Sequence, residues 1–281
     1  MKNIKCKQFL IFCMLSMSFS NDSRIVTIGG SVTEIVFALG MGDRVIAVDQ
    51  SSTIPSKVSE LPQVGYIRSI SAEGVLSVNP TIILTSSDIG PPNVVDQIRS
   101  AGIQILIFDS PKDYNGVITL VREISKSLEV VKLGNSIINK LLEDKQKILE
   151  LTKDKNADIA FFMDATNSGS FNAAGGGTRA NYLINIIGGI NIYENSFKRY
   201  SKVSSESLLE LNPQIILIGS MSDKCVLKDE LYKDRSLQIV DAVMNEHIYV
   251  IDLGYYLTFG SNISDAVLGL IDTIHQIDGE K

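Results

Sequence analysis

The sequence predicts an α/β protein of two Rossmann-like lobes with parallel-rich sheets, joined by one long rigid α-helix. Three observations carry this. Residues Ser71–Leu84 and Ser204–Leu217 match at a constant offset of 133 positions, with identities at Ser71/Ser204, Glu73/Glu206, Leu76/Leu209, Asn79/Asn212, Pro80/Pro213 and the Ile-Ile-Leu that closes each copy. That offset is the length of a domain and far too long for a solenoid. Apolar runs of strand length alternate with helical patterns on both sides of the centre, as parallel crossover units require. Between the two halves lies a long amphipathic stretch without proline.

Taken in order, residues 1–20 stand apart. Lys2, Lys5 and Lys7 precede an apolar run from Phe9 to Phe19, and Ser18-Phe19-Ser20 places small residues around a cleavage point. This is the anatomy of a removable export signal, too short to span a bilayer. Phe12 is a poor neighbour for lipid attachment at Cys13, so a lipoprotein is not expected. The first lobe is expected over residues 21–115. A buried strand runs from Arg24 to Gly30. Ser31 and Glu34 have capping-box spacing and open a helix to Leu39. Further strands are read at Val45–Val48, Ile82–Leu84 and Ile103–Phe108, with a helix near Val94–Ser100.

Over 116–155, Ile118, Val121, Ile124, Leu141 and Ile148 are among the apolar residues recurring at helical intervals. A helix or helix pair of this length is unusual inside one small domain, so it is assigned to the connection. The second lobe, 156–281, starts with a strand at Ala157–Met163. A glycine-rich turn follows at Phe171–Gly177, then a helix at Asn181–Ile187 that Gly188-Gly189 stops. A strand at Ile248–Ile251 and a helix over Ser261–Ile277 end the chain.

Composition narrows the function. Of 281 residues, 44% are hydrophobic and 21% charged, an ordinary globular balance. The net charge of −6 becomes −9 without residues 1–20, since 23 basic and 32 acidic residues remain. An acidic protein is a poor match for nucleic acid or an anionic membrane. Only Cys225 lies beyond the signal, which excludes an intrachain disulfide and a cysteine-based metal site. His247 and His275, 28 residues apart, offer no metal-ligand spacing. No nucleophile elbow, His-x-x-x-His pair or Ser-x-x-Lys set appears, and no glycine-rich phosphate loop. An enzyme is not expected.

In each copy of the repeat, Ser71 or Ser204 is placed to cap a short helix, and Glu73 or Glu206 falls in its first turn, where the helix dipole favours a negative charge. Leu76 and Leu209 are assigned to the core. Pro80 and Pro213 disfavour helix at the preceding asparagines and cut each helix to about two turns. One glutamate of this kind stabilises a helix start by ~0.3–1 kcal/mol. A matched pair on two lobes suggests docking.

The stretch Gly29-Gly30-Ser31-Val32-Thr33-Glu34 through Gly40, with Gly42-Asp43-Arg44 and Val48-Asp49, resembles the opening of substrate-binding proteins of bacterial haem ABC importers. So does Leu61-Pro-Gln-Val-Gly-Tyr66-Ile-Arg68-Ser-Ile-Ser-Ala-Glu73-Gly-Val-Leu, and Gly176-Gly177-Thr178-Arg179-Ala180-Asn181 resembles the family's second-lobe turn. The broader family includes siderophore and cobalamin binders. The resemblance spans nearly the whole chain after the signal. It implies a periplasmic protein, expected as a monomer, that binds haem in a cleft between its lobes and delivers it to membrane permease subunits. Tyr66 matches the iron-ligating tyrosine of the haem-specific members, and Glu73 and Glu206 match glutamates that meet arginines on the permease. Arg68 and Arg179 are candidates for the propionates, and Tyr200 for the macrocycle face.

The chemistry is consistent with an iron–phenolate bond, a known haem ligation. A free tyrosine titrates near about 10, so iron and a nearby cation such as Arg68 must favour its charged form. Where related haem binders carry a C-terminal Gly-Phe-Gly-Pro-Arg, this chain reads Gly260-Ser261-Asn262 after Thr258-Phe259, so Asn262 stands in place of a supporting arginine. A siderophore or cobalamin is the alternative cargo.

Overall fold

The computed structural model describes residues 23–164, 171–222 and 225–275. The export signal expected over 1–20 lies outside them. Four short, largely β-branched strands make the first sheet: β1 (Ile25–Ile28), β2 (Val45–Val48), β3 (Ile82–Ser86) and β4 (Gln104–Phe108). All pairs are parallel and the order is β2-β1-β3-β4. The central strands β1 and β3 are buried at every position, as a parallel sheet covered on both faces demands. Helices α1 (Gly30–Ala38), α2 (Ala72–Leu76) and α3 (Pro92–Ser100) complete the crossovers.

The capping box read at Ser31–Glu34 does not form. Gly29 occupies the N-cap of α1 with φ 107, and no side chain caps the helix. Both Ser31 and Glu34 are buried inside it. The spacing was correct for a cap, but tertiary contacts recruited Glu34 elsewhere.

The connection is a helix pair rather than one helix. α4 (Tyr114–Ser127) and α5 (Val131–Thr152) are separated by three residues, among which Glu129 takes a φ of 58. They pack antiparallel: Gly134 lies against Ser125, and the Tyr114 hydroxyl donates to the Leu141 carbonyl at 2.8 Å. Only α5 is long; its 22 residues span roughly 33 Å at 1.5 Å each.

The second lobe contains β5 (Asp158–Met163), β6 (Phe171–Ala174), α6 (Arg179–Ile186), β7 (Ile190–Asn191), β8 (Tyr200–Val203), α7 (Ser205–Leu211), β9 (Ile215–Ser220), α8 (Val226–Lys233), α9 (Asp241–Met244), β10 (Ile248–Asp252), α10 (Leu253–Tyr256) and α11 (Ile263–His275). The sheet runs β10-β9-β5-β6-β8, with β7 also on β5. Strands β10, β9, β5 and β7 pair in parallel, while β6 joins β5 and β8 antiparallel. The turn expected from Phe171 is therefore four residues of strand first. α11 begins at Ile263, not Ser261.

One buried cluster joins the two halves. It runs from Ile25 and Leu84 of the first sheet through Val121 of α4 and Ile148 of α5 to Phe161 and Leu217 of the second sheet. Residues Ile263, Val267 and Leu270 bring α11 into the same cluster, so the C-terminal helix packs against the helix pair. Tyr114, fully buried, shares a hydrogen bond with Ser264 as well as Leu141 and ties α4, α5 and α11 together. Burial raises its pKa to about 12. Separate clusters fill the outer faces of the two sheets. Among the described residues, no helix is long and apolar enough to cross a membrane.

Candidate functional site

The carboxyl ends of the parallel strands in both lobes converge on one cavity of about 460 Å³. Gly29 and Gly30 follow β1, Gln50 and Ser51 follow β2, and Ser86 and Asp88 end or follow β3. From the second lobe, Met221 follows β9, and Leu253 and Gly254 follow β10. Crevices at the carboxyl ends of strands are where open α/β sheets bind ligands, because the loops there diverge. The volume lies in the range of roughly 300–1,000 Å³ usual for small-molecule sites.

Buried polar contacts shape the first-lobe wall. Asp49 is fully buried, and its carboxylate accepts from the Gly29 amide at 2.7 Å, the Ser51 amide at 3.0 Å and the Ser52 hydroxyl at 2.6 Å. These bonds hold the β1 and β2 loops side by side. A Cβ on Gly30 would lie 3.0 Å from the Ser51 carbonyl and 3.1 Å from the Thr258 methyl, so the backbone packs tightly here.

Tyr66 reaches this cavity by a local device. Val48 and Gln63 form a parallel bridge that lays this segment beside β2, and the Gln50 amide donates to the Gly65 carbonyl at 2.8 Å. Gly65 then reverses the chain with φ 112. In the following turn, Ile67 and Ile70 are buried while Tyr66 keeps 43% of its surface exposed. The apolar residues anchor the turn, and Tyr66 and Arg68 project from it onto the cavity lining. Arg68 faces Asp88 across 3.7 Å.

Arg179 lines the cavity from the second lobe. It sits in the first turn of α6, behind the Thr178 cap. Its Nε donates to the Pro111 carbonyl at 3.0 Å, and Nη1 donates to the Leu257 carbonyl at 2.9 Å. The guanidinium also lies 5.5 Å from the Phe259 ring centre. Burial pulls its pKa down, while the Asp88 carboxylate nearby works the other way. This arginine therefore has a structural task, joining the end of the first lobe to the segment after α10, and still presents a cation to the cleft.

The remaining expected residues are placed differently. Tyr200, on β8, is close enough to Arg179 to feel its charge but is not on the cavity lining, and burial raises its pKa. Asn262 is also off the lining; its backbone amide donates to Glu34, which also accepts from the Ser261 hydroxyl at 3.1 Å. Glu73 and Glu206 are solvent-exposed in the first turns of α2 and α7. Ser71 and Ser204 cap those helices through the amides of Gly74 and Ser207. A hydrogen bond with Ser204 holds the Glu206 carboxyl below its usual range.

Sequence reading missed Asp88 and the Leu253–Thr258 segment. A usable signal existed, since both follow apolar strands of a parallel sheet. No histidine or cysteine is among the described residues that line the cavity.

A cleft of this kind, walled by strand ends from two lobes around a shared helical core, defines a ligand-binding protein. The chain belongs to the Periplasmic binding protein family, whose model matches residues 25–253. These are binding proteins, not enzymes. An uncharacterized ABC transporter substrate-binding lipoprotein of Bacillus subtilis, YvrC, is 24% identical over 90% of this chain and 80% of its own length. The vitamin B12-binding protein of Pectobacterium atrosepticum is 25% identical over 76% of this chain and 77% of its own. Among solved structures, the periplasmic heme-binding protein RhuT of Roseiflexus sp. RS-1 in apo form superposes with a TM-score of 0.82 and 28% identity, covering 91% of this chain and 98% of that one. The chain is a substrate-binding protein of the ABC-importer class, which implies a membrane permease as its partner.

Proposed function

We propose that this protein captures haem in the inter-lobe cleft and delivers it to the permease. The supporting observation is Tyr66, an exposed phenol on the lining of a cavity that also holds Arg68 and Arg179. Ferric iron takes the phenolate oxygen, and the two cations serve the propionates. Leu253, Leu257 and Met221 supply apolar wall for the macrocycle. The RhuT likeness supports the same cargo. Glu73 and Glu206 are the docking residues, one per lobe. Residues 1–20 direct export to the periplasm and are then removed.

Titration of the purified protein with hemin tests this. A saturable Soret shift with a charge-transfer band is expected, and Tyr66→Ala should abolish the charge-transfer band and weaken binding at least tenfold. No saturable change in the wild type would sink the haem reading. An unaltered spectrum in the variant would remove Tyr66 as ligand. Cobalamin is the second reading, favoured by the vitamin B12-binding relative. Cyanocobalamin binding in calorimetry, with hemin inert, would select it.

A further inference from the structure

Two cations and one anion line the described part of the cleft: Arg68, Arg179 and Asp88. The anion is held in place. Asp88 follows β3, its Oδ2 accepts from the Ser110 hydroxyl at 2.5 Å, and the Ser110 amide donates to the Ser87 hydroxyl at 3.1 Å. Its other oxygen, Oδ1, faces Arg68 Nη2 at 3.7 Å. The backbones of the two segments are also joined, because the Gly90 amide donates to the Ile67 carbonyl at 2.9 Å and the Ile70 amide to the Gly90 carbonyl at 3.1 Å. The pair thus stands on a fixed frame. Neither partner is deeply buried, with side-chain exposures of 62% for Arg68 and 40% for Asp88, so a ligand entering the cleft meets both.

We propose that Asp88 is a built-in counter-ion that sets the charge specificity of the cleft: cargo binds by exchanging its own carboxylate for Asp88 on Arg68. This rests on the haem reading for the identity of the cargo, but not for the exchange itself. At 3.7 Å the pair is longer than a bidentate arginine–carboxylate contact, whose bonds are about 2.7–2.9 Å. A ligand carboxylate that approaches Arg68 squarely replaces a poor contact with a good one. An uncharged ligand leaves Arg68 with Asp88 and gains nothing from it. The cost of exchange is a carboxylate left beside the incoming anion, with Ser110 as its hydrogen-bond donor. Asp88 therefore lowers affinity for every anionic ligand and lowers it most for ligands that present a carboxylate imperfectly.

The test compares wild type, Asp88→Asn and Arg68→Gln/Asp88→Asn at low and physiological salt. The probes are hemin, hemin dimethyl ester and citrate. Asp88→Asn keeps an acceptor for Ser110, and Asp88→Ser is the second variant should the first fail to fold. Removing the counter-ion should tighten hemin binding about two- to fivefold, the scale of a partly exposed ion pair, and more at low salt. The dimethyl ester should change less than twofold, and the gain should vanish when Arg68 is also replaced. Hemin bound by the wild type with unchanged or weaker affinity in Asp88→Asn, or an equal gain with the ester, overturns the counter-ion and leaves the haem reading standing. If the wild type does not bind hemin, the haem reading falls and citrate decides. Tighter citrate binding in Asp88→Asn then supports the counter-ion, and equal affinity, or none in either protein, overturns it.

Discussion

Glu34 places a carboxylate between the first helix and the turn into the last. It is nearly fully buried, packs against Gly260, and accepts from the Ser261 hydroxyl and the Asn262 amide. Burial raises its pKa above the ordinary value of 4.5, and the two donors offset only part of that. Between the unfolded pKa and this higher folded one, the folded chain binds a proton that the unfolded chain releases. By linkage, the stabilisation is fully present below pH 4.5 and is lost as pH rises through the higher folded pKa. Urea unfolding from pH 4 to 8 should show wild type losing stability relative to Glu34→Gln across the window that starts at 4.5. Parallel curves would show that Glu34 does not titrate differently on folding. At this scale the readable residues were those adjacent in the chain. Tyr66 and Arg68 share one motif, whereas Asp88 meets Arg68 only because the segment after β3 is bonded to the Tyr66 turn through Gly90, Ile67 and Ile70. Nothing local marked Glu34 as the partner of Asn262, 228 positions away.

The repeated element folds as its residues dictate. Both serines cap, both asparagines before proline take positive φ, of 49 at Asn79 and 40 at Asn212, and both helices are short. Leu76 and Leu209 are only half-buried, with Val75 and Leu208 one residue earlier as the buried anchors, because the short helices turn that side inward. The helix pair carries a sharper test. Gly134 is buried in α5 where a Cβ would overlap the Ser125 side chain of α4. Helix propensity alone makes Gly134→Ala stabilising by about 0.5–1 kcal/mol. Overpacking costs about 1–3 kcal/mol and should win. A urea midpoint that falls with an unchanged m-value is the expected result. A midpoint that rises would mean α4 yields readily.

The molecule is held by a core that does not stop at the lobe boundary. Because α4, α5 and α11 share one cluster with both sheets, wide hinge opening would expose buried apolar surface at about 25 cal/mol per Å². Small closure on the cargo follows from that. Delivery then depends on an outside partner, for which the two exposed glutamates are the proposed contacts. Charge reversal, Glu73→Lys with Glu206→Lys, should reduce transport into reconstituted vesicles at least tenfold and leave hemin affinity within twofold. Lost hemin binding would instead assign the glutamates to the pocket.

What local chain chemistry settled here is the set of parts: two similar lobes, capped helices with exposed glutamates, and a loop that displays Tyr66. Each follows from periodicity, caps and turns within a few residues. Folding in three dimensions settled which parts meet. It turned the connecting stretch into a packed pair, brought α11 back against it, used Glu34 as a clamp, made Arg179 a joint between lobes and set Asp88 opposite Arg68. These pairings depend on strand order and helix packing, which join residues that no sequence window contains together.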